Sequence, residues 1–320
     1  MKSGRIGGDR RWGRLGIRLI LVTLIALASA SAALDVSASN AEPAAVAAAA
    51  VPTPAPTAAI SVTPAARDAD SLAAAVAALV AGSGATVGVS VVELGGTLPL
   101  SWSSNGTGVF TAASTYKLAA LMVEAQRIAA GTTDPNGLVY FEDSDYEDGV
   151  FDDYSAGAGF TRIELAYRAA HYSDNTAGHM LVRDVGGAGA LNAWVAALGA
   201  TGSSFFDGNT TTATDLTALW VAEAQGRLGG AAAQAWLYPL LTRTSFESGI
   251  PAGTSGATVV HKTGALDLTE NDTALLLGAP SGPYVLTVLT DGLDETAGPT
   301  LIASIARAVE TFESARSAPQ

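Results

Sequence analysis

The chain of 320 residues contains no cysteine, only 15% charged residues and, beyond residue 34, only two lysines. The absence of cysteine excludes disulfide bonds, thiolate zinc sites, cysteine nucleophiles and a cysteine-linked lipid anchor. The net charge of −13 argues against a nucleic-acid-binding surface. Apolar residues make up 48% of the chain, so a sizeable core is available, and the length allows one or two domains.

Basic residues are concentrated at the N-terminus. Residues 1–34 hold six of the 17 basic and one of the 30 acidic side chains, which leaves the remainder with a net charge of −18. An uncharged apolar run of about 16 residues follows Arg18 and closes with Ala28-Ser29-Ala30. This pattern is typical of a secretory leader, and the run is shorter than the roughly 20 residues of a spanning helix. We therefore expect residues 1–34 to be a cleaved signal peptide of an exported protein without stable membrane insertion.

Residues 35–67 consist largely of Ala, Ser, Thr and Pro, with five prolines. Few large apolar groups are present to compensate the entropy of ordering this stretch. The composition predicts a disordered linker, followed by one folded domain over residues 68–316.

The order of elements indicates the fold. Helical patterns cover residues 70–81, much of 114–245 and 297–312, and strand patterns cover 86–94, 97–102, 258–263, 273–277 and 284–290. This order predicts an α+β domain with a five-stranded antiparallel sheet, flanked by the N- and C-terminal helices, and an inserted all-helical subdomain over about 114–245. A cleft at the junction of sheet and insert is the expected ligand site.

The two lysines stand at structurally meaningful places. Lys117 closes Ser114-Thr115-Tyr116-Lys117 at the predicted start of a helix. Side chains three residues apart share a helix face, so the amine can hydrogen-bond the serine hydroxyl. Unlike arginine, lysine can lose its proton in a suitable site and act as a base. The alternative is a serine that only caps the helix.

Two further tripeptides, each taken alone, could also be either part of a catalytic site or a purely structural feature. Lys262-Thr263-Gly264 ends an apolar strand, where it could be a simple turn. Ser173-Asp174-Asn175 follows a predicted helix and could cap the next one.

Together and in this order, the three motifs resemble those of the class A β-lactamases, penicillin-recognising serine acyl-enzymes with the signature S-x-x-K, S-D-N and K-T-G. The resemblance covers about residues 70–314. It implies a β-lactamase/transpeptidase-like fold that acts on a small β-lactam or a peptidoglycan peptide. It also implies a monomer with no cofactor, no metal and no nucleic-acid partner.

By this resemblance, Ser114 attacks the lactam carbonyl and becomes acylated. Lys117 takes its proton, although the acylation base is disputed in the family. Ser173 relays a proton to the leaving nitrogen, and Lys262 supplies positive charge near Ser173 and the substrate carboxylate.

The remaining roles implied by the resemblance concern substrate binding. Thr263 hydrogen-bonds the substrate carboxylate, and Asn175 holds a substrate amide while steadying the lysine of the first motif. The main-chain N–H groups of Ser114 and Ala265 form the oxyanion hole. Gly264 allows the substrate backbone to approach closely.

One expected part is missing from the sequence. Class A enzymes carry a glutamate on the loop after the S-D-N helix, where it activates the water that releases the acyl group. Residues 176–209 contain no glutamate, and their acids are Asp184, on a predicted helix, and Asp207. Asp207 is the candidate substitute, although it could equally be a turn residue. Acylation is therefore better supported than release.

Three functions follow from these patterns. The first is a serine β-lactamase-like hydrolase, the second a D-Ala-D-Ala peptidase or slow penicillin-binding protein, and the third a non-catalytic exported domain that keeps the fold.

Two other signals favour structural interpretations. The acidic run 142–153 predicts a solvated loop near the cleft, since it lacks the glycine and final glutamate of a calcium loop. The three histidines show no metal-ligand spacing, and strand alternation predicts that His261 is packed in the core.

Overall fold

The computed structural model describes residues 66–95, 99–206 and 208–317. The predictions for residues 1–34, for most of the linker and for Asp207 lie outside the described residues. Residues 66 and 67 were expected in the linker but belong to the first helix, α1, Ala66–Ser83. Among the described helices, none has the length and apolar character required to cross a lipid bilayer.

The main sheet has five antiparallel strands, as predicted. They are β1 Thr86–Glu93, β2 Ser101–Ser104, β7 Thr258–Leu266, β8 Thr269–Leu277 and β9 Tyr284–Asp291. Strands from the early and late parts of the sequence are neighbours in this sheet, because β1 pairs with β9 along its whole length. Across the sheet the strands follow the order β2-β1-β9-β8-β7.

The insert between β2 and β7 carries most of the described helices. They are α2 Tyr116–Ala129, α3 Arg162–His171, α4 Asn175–Asp184, α5 Gly187–Ala197, α6 Ala213–Ala224, α7 Gly230–Leu237 and α8 Ile250–Gly253. Short 3-10 helices cover Ala113–Thr115, Asp143–Asp145 and Tyr238–Leu241. The chain closes with α9, Ala297–Ser317, which packs on the sheet beside α1.

The insert differs from the expected all-helical subdomain. It also contributes two ribbons of two short strands each, in which β3 Phe110–Thr111 pairs with β6 Thr210–Thr211 and β4 Leu138–Tyr140 pairs with β5 Gly159–Thr161. Strands of two or three residues are too short to show an alternating pattern, so sequence periodicity could not reveal them.

Strand alternation divides the core into two layers. On β8, Leu275 faces the insert, whereas Ala274 and Leu276 face the terminal helices. Helix α2 is buried on almost every side, which explains its nearly continuous apolar sequence from Leu118 to Val123. This central helix therefore fixes the position of whatever lies at its N-terminus.

Arg168 of α3 organises the segment that precedes the S-D-N motif. Its guanidinium is almost fully buried and binds both oxygens of Asp153, at 2.6 and 2.8 Å, and Glu164 at 2.7 Å. The pKa of Asp153 is lowered by its hydrogen bonds with Arg168. The planar group also lies over three rings, those of Phe151, Tyr154 and Phe160.

Arg168→Lys keeps the charge but loses the two-pronged carboxylate contact and the flat stacking surface. We expect it to lower the free energy of unfolding by about 2 kcal/mol, measured by urea denaturation. Arg307→Lys, on an exposed position of α9, is the control and should change it by less than about 0.5 kcal/mol. Equal midpoints for both variants would contradict this role of Arg168.

Candidate active site

Ser114 lies in the short 3-10 helix Ala113–Thr115 that leads into α2. At a helix start the first N–H groups have no intrahelical acceptor, so the N–H of Ser114 is available to a ligand. The preceding residue, Ala113, has a φ of 47°, a strained left-handed conformation for a residue with a Cβ. The serine is thus presented on a sharp turn at the end of the most buried helix.

Lys117 lies one turn further on and its side chain is fully buried. Its Nζ is 2.9 Å from Ser114 Oγ, 2.6 Å from the carbonyl oxygen of Ser173 and 2.8 Å from Asn175 Oδ1. Burial lowers the pKa of Lys117 to about 7, against the opposing influence of Asp174 and Glu147. A substantial fraction of the amine is therefore neutral near physiological pH.

The partners of Lys117 determine the direction of its hydrogen bonds. A carbonyl or amide oxygen can only accept, so the two N–H groups of a neutral amine are used by Ser173 and Asn175. The lone pair is then left for the hydroxyl hydrogen of Ser114. The neutral state thus orients the lysine as a proton acceptor toward the serine.

Ser173 connects the two lysines of the site. Its carbonyl accepts from Lys117, and its Oγ accepts from Lys262 Nζ at 2.9 Å. Ser173 has a φ of 57°, which is unfavourable for a serine and persists because both contacts and the following helix hold it. Ser173 thus contacts Lys117 through its carbonyl oxygen and Lys262 through its hydroxyl, which brings the two amines to the same residue.

Lys262 is buried on β7 and also donates to the carbonyl of Thr263 at 2.8 Å. Burial, followed by the positive charge of Lys117, holds the pKa of Lys262 well below its ordinary value. Any anion that enters the site would favour its charged form.

His261, the neighbour of Lys262, is fully buried, as predicted, but it belongs to a polar network. Its Nδ1 lies 2.9 Å from Asp272 Oδ1, and its Nε2 lies 3.1 Å from Glu247 Oε1. Burial alone would lower its pKa, yet the two carboxylates outweigh burial and raise the pKa of His261 to about 9. It therefore serves β7 as a buried cation.

The end of β7 lies directly against the segment that carries Ser114. A Cβ on Gly264 would stand 2.7 Å from the carbonyl oxygen of Ala112 and 3.0 Å from Thr115 N. Glycine is thus required here by the protein's own backbone, whereas the sequence suggested room for a substrate. Thr263 is half-buried and Ala265 exposed at this edge of the sheet, where β7 has no neighbour on one side.

Asn175 and Asp174 fix the S-D-N turn. Asn175 Nδ2 donates to the carbonyl of Asp148 at 2.9 Å, while its Oδ1 holds Lys117. The Asp174 carboxylate caps α4 through Ala177 N and binds a neighbouring loop through Tyr154 Oη at 2.7 Å. The main-chain N–H groups of Val150 and Phe151 also donate to the Asp174 carboxylate. With this many partners, Asp174 has a structural role in the turn.

A cavity of about 300 Å³ borders part of this site. Its lining includes Ser114, Asn175 and Ala265 from the predicted site. It also includes four side chains that the sequence interpretation did not place there: Tyr116, Glu147, His179 and Phe206. A second cavity of about 440 Å³, beside Arg243 and Glu247, is lined by none of the three motifs.

The missed residues left weak signals in the sequence. His179 lies four residues after Asn175, which places both on one face of α4. Glu147 belongs to the acidic run, which is not a uniformly solvated loop, since Asp145 is buried and pairs with Arg183 at 2.8 Å. Among the described residues there is no cluster of three or more His, Asp or Glu suited to a metal ion.

Comparison with known proteins is consistent with this geometry. The profile of the "Beta-lactamase enzyme family" matches residues 71–312, which is about three quarters of the chain. The chain therefore belongs to the β-lactamase enzyme family and has the fold of its serine acyl-enzymes. No curated protein matches the sequence.

Solved structures support the same fold. A β-lactamase from Sphaerobacter thermophilus is 28% identical, with a TM-score of 0.68 over 78% of this chain and 99% of the other. An ancestral class A β-lactamase is 25% identical, with a TM-score of 0.65 over 74% and 98%. A mutant of PBP-A, solved as an acyl-enzyme with penicillin G, is 24% identical, with a TM-score of 0.69 over 78% and 97%.

The strained backbone of Ser173 can be tested with a matched pair of variants. Ser173→Ala and Ser173→Gly both remove the hydroxyl, but only glycine relieves the positive φ. We expect Ser173→Gly to be more stable than Ser173→Ala by about 1 kcal/mol in urea denaturation. If alanine proved equal or more stable, the backbone of the turn would carry no strain.

Proposed function

We propose that this protein is a serine hydrolase of the class A β-lactamase type, which opens a cyclic amide through an acyl-enzyme on Ser114. The observation that carries the proposal is the 2.9 Å contact between Ser114 Oγ and a buried lysine whose pKa is lowered to about 7. A base with a pKa near the working pH is the most effective acceptor for a proton in the transition state.

Acylation follows from the contacts around Ser114. The lone pair of Lys117 accepts the hydroxyl proton as Oγ bonds to the lactam carbonyl carbon. The N–H groups of Ser114 and Ala265 would hold the developing oxyanion. Ser173, whose Oγ accepts from Lys262, relays the proton taken up by Lys117 to the ring nitrogen as the C–N bond breaks, so that Lys117 and Ser173 both return to their starting protonation states.

The carboxylate of a β-lactam would provide a negative charge for the cationic end of this site. Lys262 and Thr263 would bind it at the end of β7, while Asn175 would hold the acyl side chain. Binding the carboxylate would favour the charged form of Lys262, whose pKa is lowered by burial and by Lys117. The positive charge of Lys262 would thus attract the substrate carboxylate although the net charge of the molecule is negative. No cofactor enters this chemistry.

The proposal extends to organisation and location. Residues 1–34 would direct export and be removed, residues 35–65 would tether the domain, and the domain that begins with α1 at residue 66 would act as a monomer outside the cytoplasm. The basic start and the short apolar run support this organisation.

A second function, a slow penicillin-binding protein or D-Ala-D-Ala peptidase, is favoured by one observation. Residues 176–209 contain no glutamate to activate a hydrolytic water. Asp207 is the substitute that the sequence offers in that region. Either function requires the acylation of Ser114, so the lifetime of the acyl-enzyme separates them.

Labelling with a fluorescent penicillin tests acylation. We expect a covalent adduct with the wild type and none with Ser114→Ala. Because only neutral Lys117 accepts a proton, the labelling rate should fall about tenfold per pH unit below about 7 and level off above it. A rate independent of pH between 5 and 9 would contradict Lys117 as the base, and an unlabelled wild type would leave only a non-catalytic domain.

Intact-protein mass after brief and long exposure to a penicillin tests release. A β-lactamase should show the adduct early and lose it as substrate is consumed, whereas a slow penicillin-binding protein should keep it. Asp207→Asn tests that carboxylate in the same assay, since a trapped adduct is expected only if Asp207 activates water. Unchanged release would remove Asp207 from the mechanism.

A further inference from the structure

Glu147 and His179 reach the cavity from two separate elements and meet there. His179 Nε2 lies 2.8 Å from Glu147 Oε2. The main chain of Glu147 is fixed by the buried Thr176. The hydroxyl of Thr176 accepts from the N–H of Glu147 at 3.1 Å and donates to the carbonyl of Glu147 at 2.7 Å. The contact therefore joins a fixed loop to a fixed helix, and both residues line the same cavity as Ser114.

The surroundings of His179 favour a neutral ring. Burial lowers the pKa of His179, and the positive charge of Lys117 lowers it further, while Glu147 and Asp145 act in the opposite direction. Phe206 packs against the ring at a centroid distance of 4.7 Å and fixes its plane. A neutral imidazole beside a carboxylate can take up one proton, which the two groups then share.

Other groups near the cavity are poorly suited to this task. Burial raises the pKa of Tyr116 above its ordinary value, so its hydroxyl stays protonated. Asp184, the other acid of the segment that lacks glutamate, pairs with Arg127 at 2.9 Å and Arg162 at 3.0 Å.

We propose that the Glu147–His179 pair accepts the proton of the water that hydrolyses the acyl group from Ser114. The inference rests on the proposed acylation of Ser114. The pair would take over the task of the glutamate that residues 176–209 do not contain.

The step balances without a further reactant. The water oxygen bonds to the ester carbonyl carbon, one water proton passes to the pair, and the carbonyl oxygen becomes an oxyanion. The carbonyl then re-forms as the bond between carbon and Ser114 Oγ breaks. Oγ recovers the proton held by the pair, so the products are a carboxylic acid and the free serine.

The test measures acylation and release separately on the full chain. A fluorescent penicillin gives the labelling rate, and loss of label after a chase with unlabelled penicillin gives the release rate. The variants are His179→Asn and Glu147→Gln, which keep polar side chains of similar size but cannot accept the proton. Asp143→Asn, an exposed acid of the same loop, is the matched control.

We expect release to slow by about 100-fold or more in His179→Asn and Glu147→Gln, the usual contribution of a general base. The adduct should still form in both variants, and melting temperatures should stay near the wild-type value. The labelling profile of Glu147→Gln should move to lower pH, because Glu147 opposes the lowering of the Lys117 pKa. Release in Asp143→Asn should stay at the wild-type level. Release in the wild type should also fall at low pH as the pair, facing Lys117 and Asp145, becomes protonated. The midpoint of this pH dependence should shift in both variants, because each removes one of the two groups that share the proton. A purely structural role would not produce such a shift.

Three outcomes would overturn the inference. Wild-type release that persists in both variants would show that the pair takes no part. Loss of release in Asp207→Asn alone would assign the task to Asp207. A wild-type adduct that forms but is never released would leave the proposed acylation intact and remove the inference, whereas a wild type that is never labelled would refute both.

Discussion

The removal of one amino group from water is the constraint on which the site depends. Lys117 is buried among oxygens that satisfy its N–H groups, so the fold compensates only part of the cost of charging it. The resulting pKa near 7 leaves the amine as a hydrogen-bond donor to Ser173 and Asn175 and lets it serve as a base toward Ser114 in the proposed reaction. The burial of Lys117 thus determines both how its N–H groups are bound and how readily it can accept a proton.

The fold serves this constraint by bringing together three distant parts of the chain. The rigid α2 carries the serine and its lysine, the strained turn at Ser173 supplies oxygens to both lysines, and β7 presses against the serine segment through Gly264. Asn271 of β8 strengthens this junction by donating to the carbonyls of Thr111 and Ala112. The site is therefore a meeting of sheet and insert, as the order of elements predicted.

Much of this could be read from the sequence, for identifiable reasons. Helix starts, strand ends and turn residues are local signals, so the three motifs and the five-stranded sheet were predictable. The positive φ of Ser173 and the meeting of Glu147 with His179 were not, because they arise from contacts between segments far apart in the chain. The burial of Asp145 inside an acidic loop depends in the same way on Arg183 of α4. Only the spacing of four residues between Asn175 and His179 offered a local clue.

The scarcity of lysine has a practical consequence for chemical coupling. Apart from Lys2, the chain carries its ε-amines at positions 117 and 262 alone, and both are inaccessible in the folded domain. If residues 1–34 are removed as proposed, reagents that conjugate primary amines would react chiefly with the new α-amino group. Such a molecule could be anchored to a surface in one orientation, with its reactive groove left untouched.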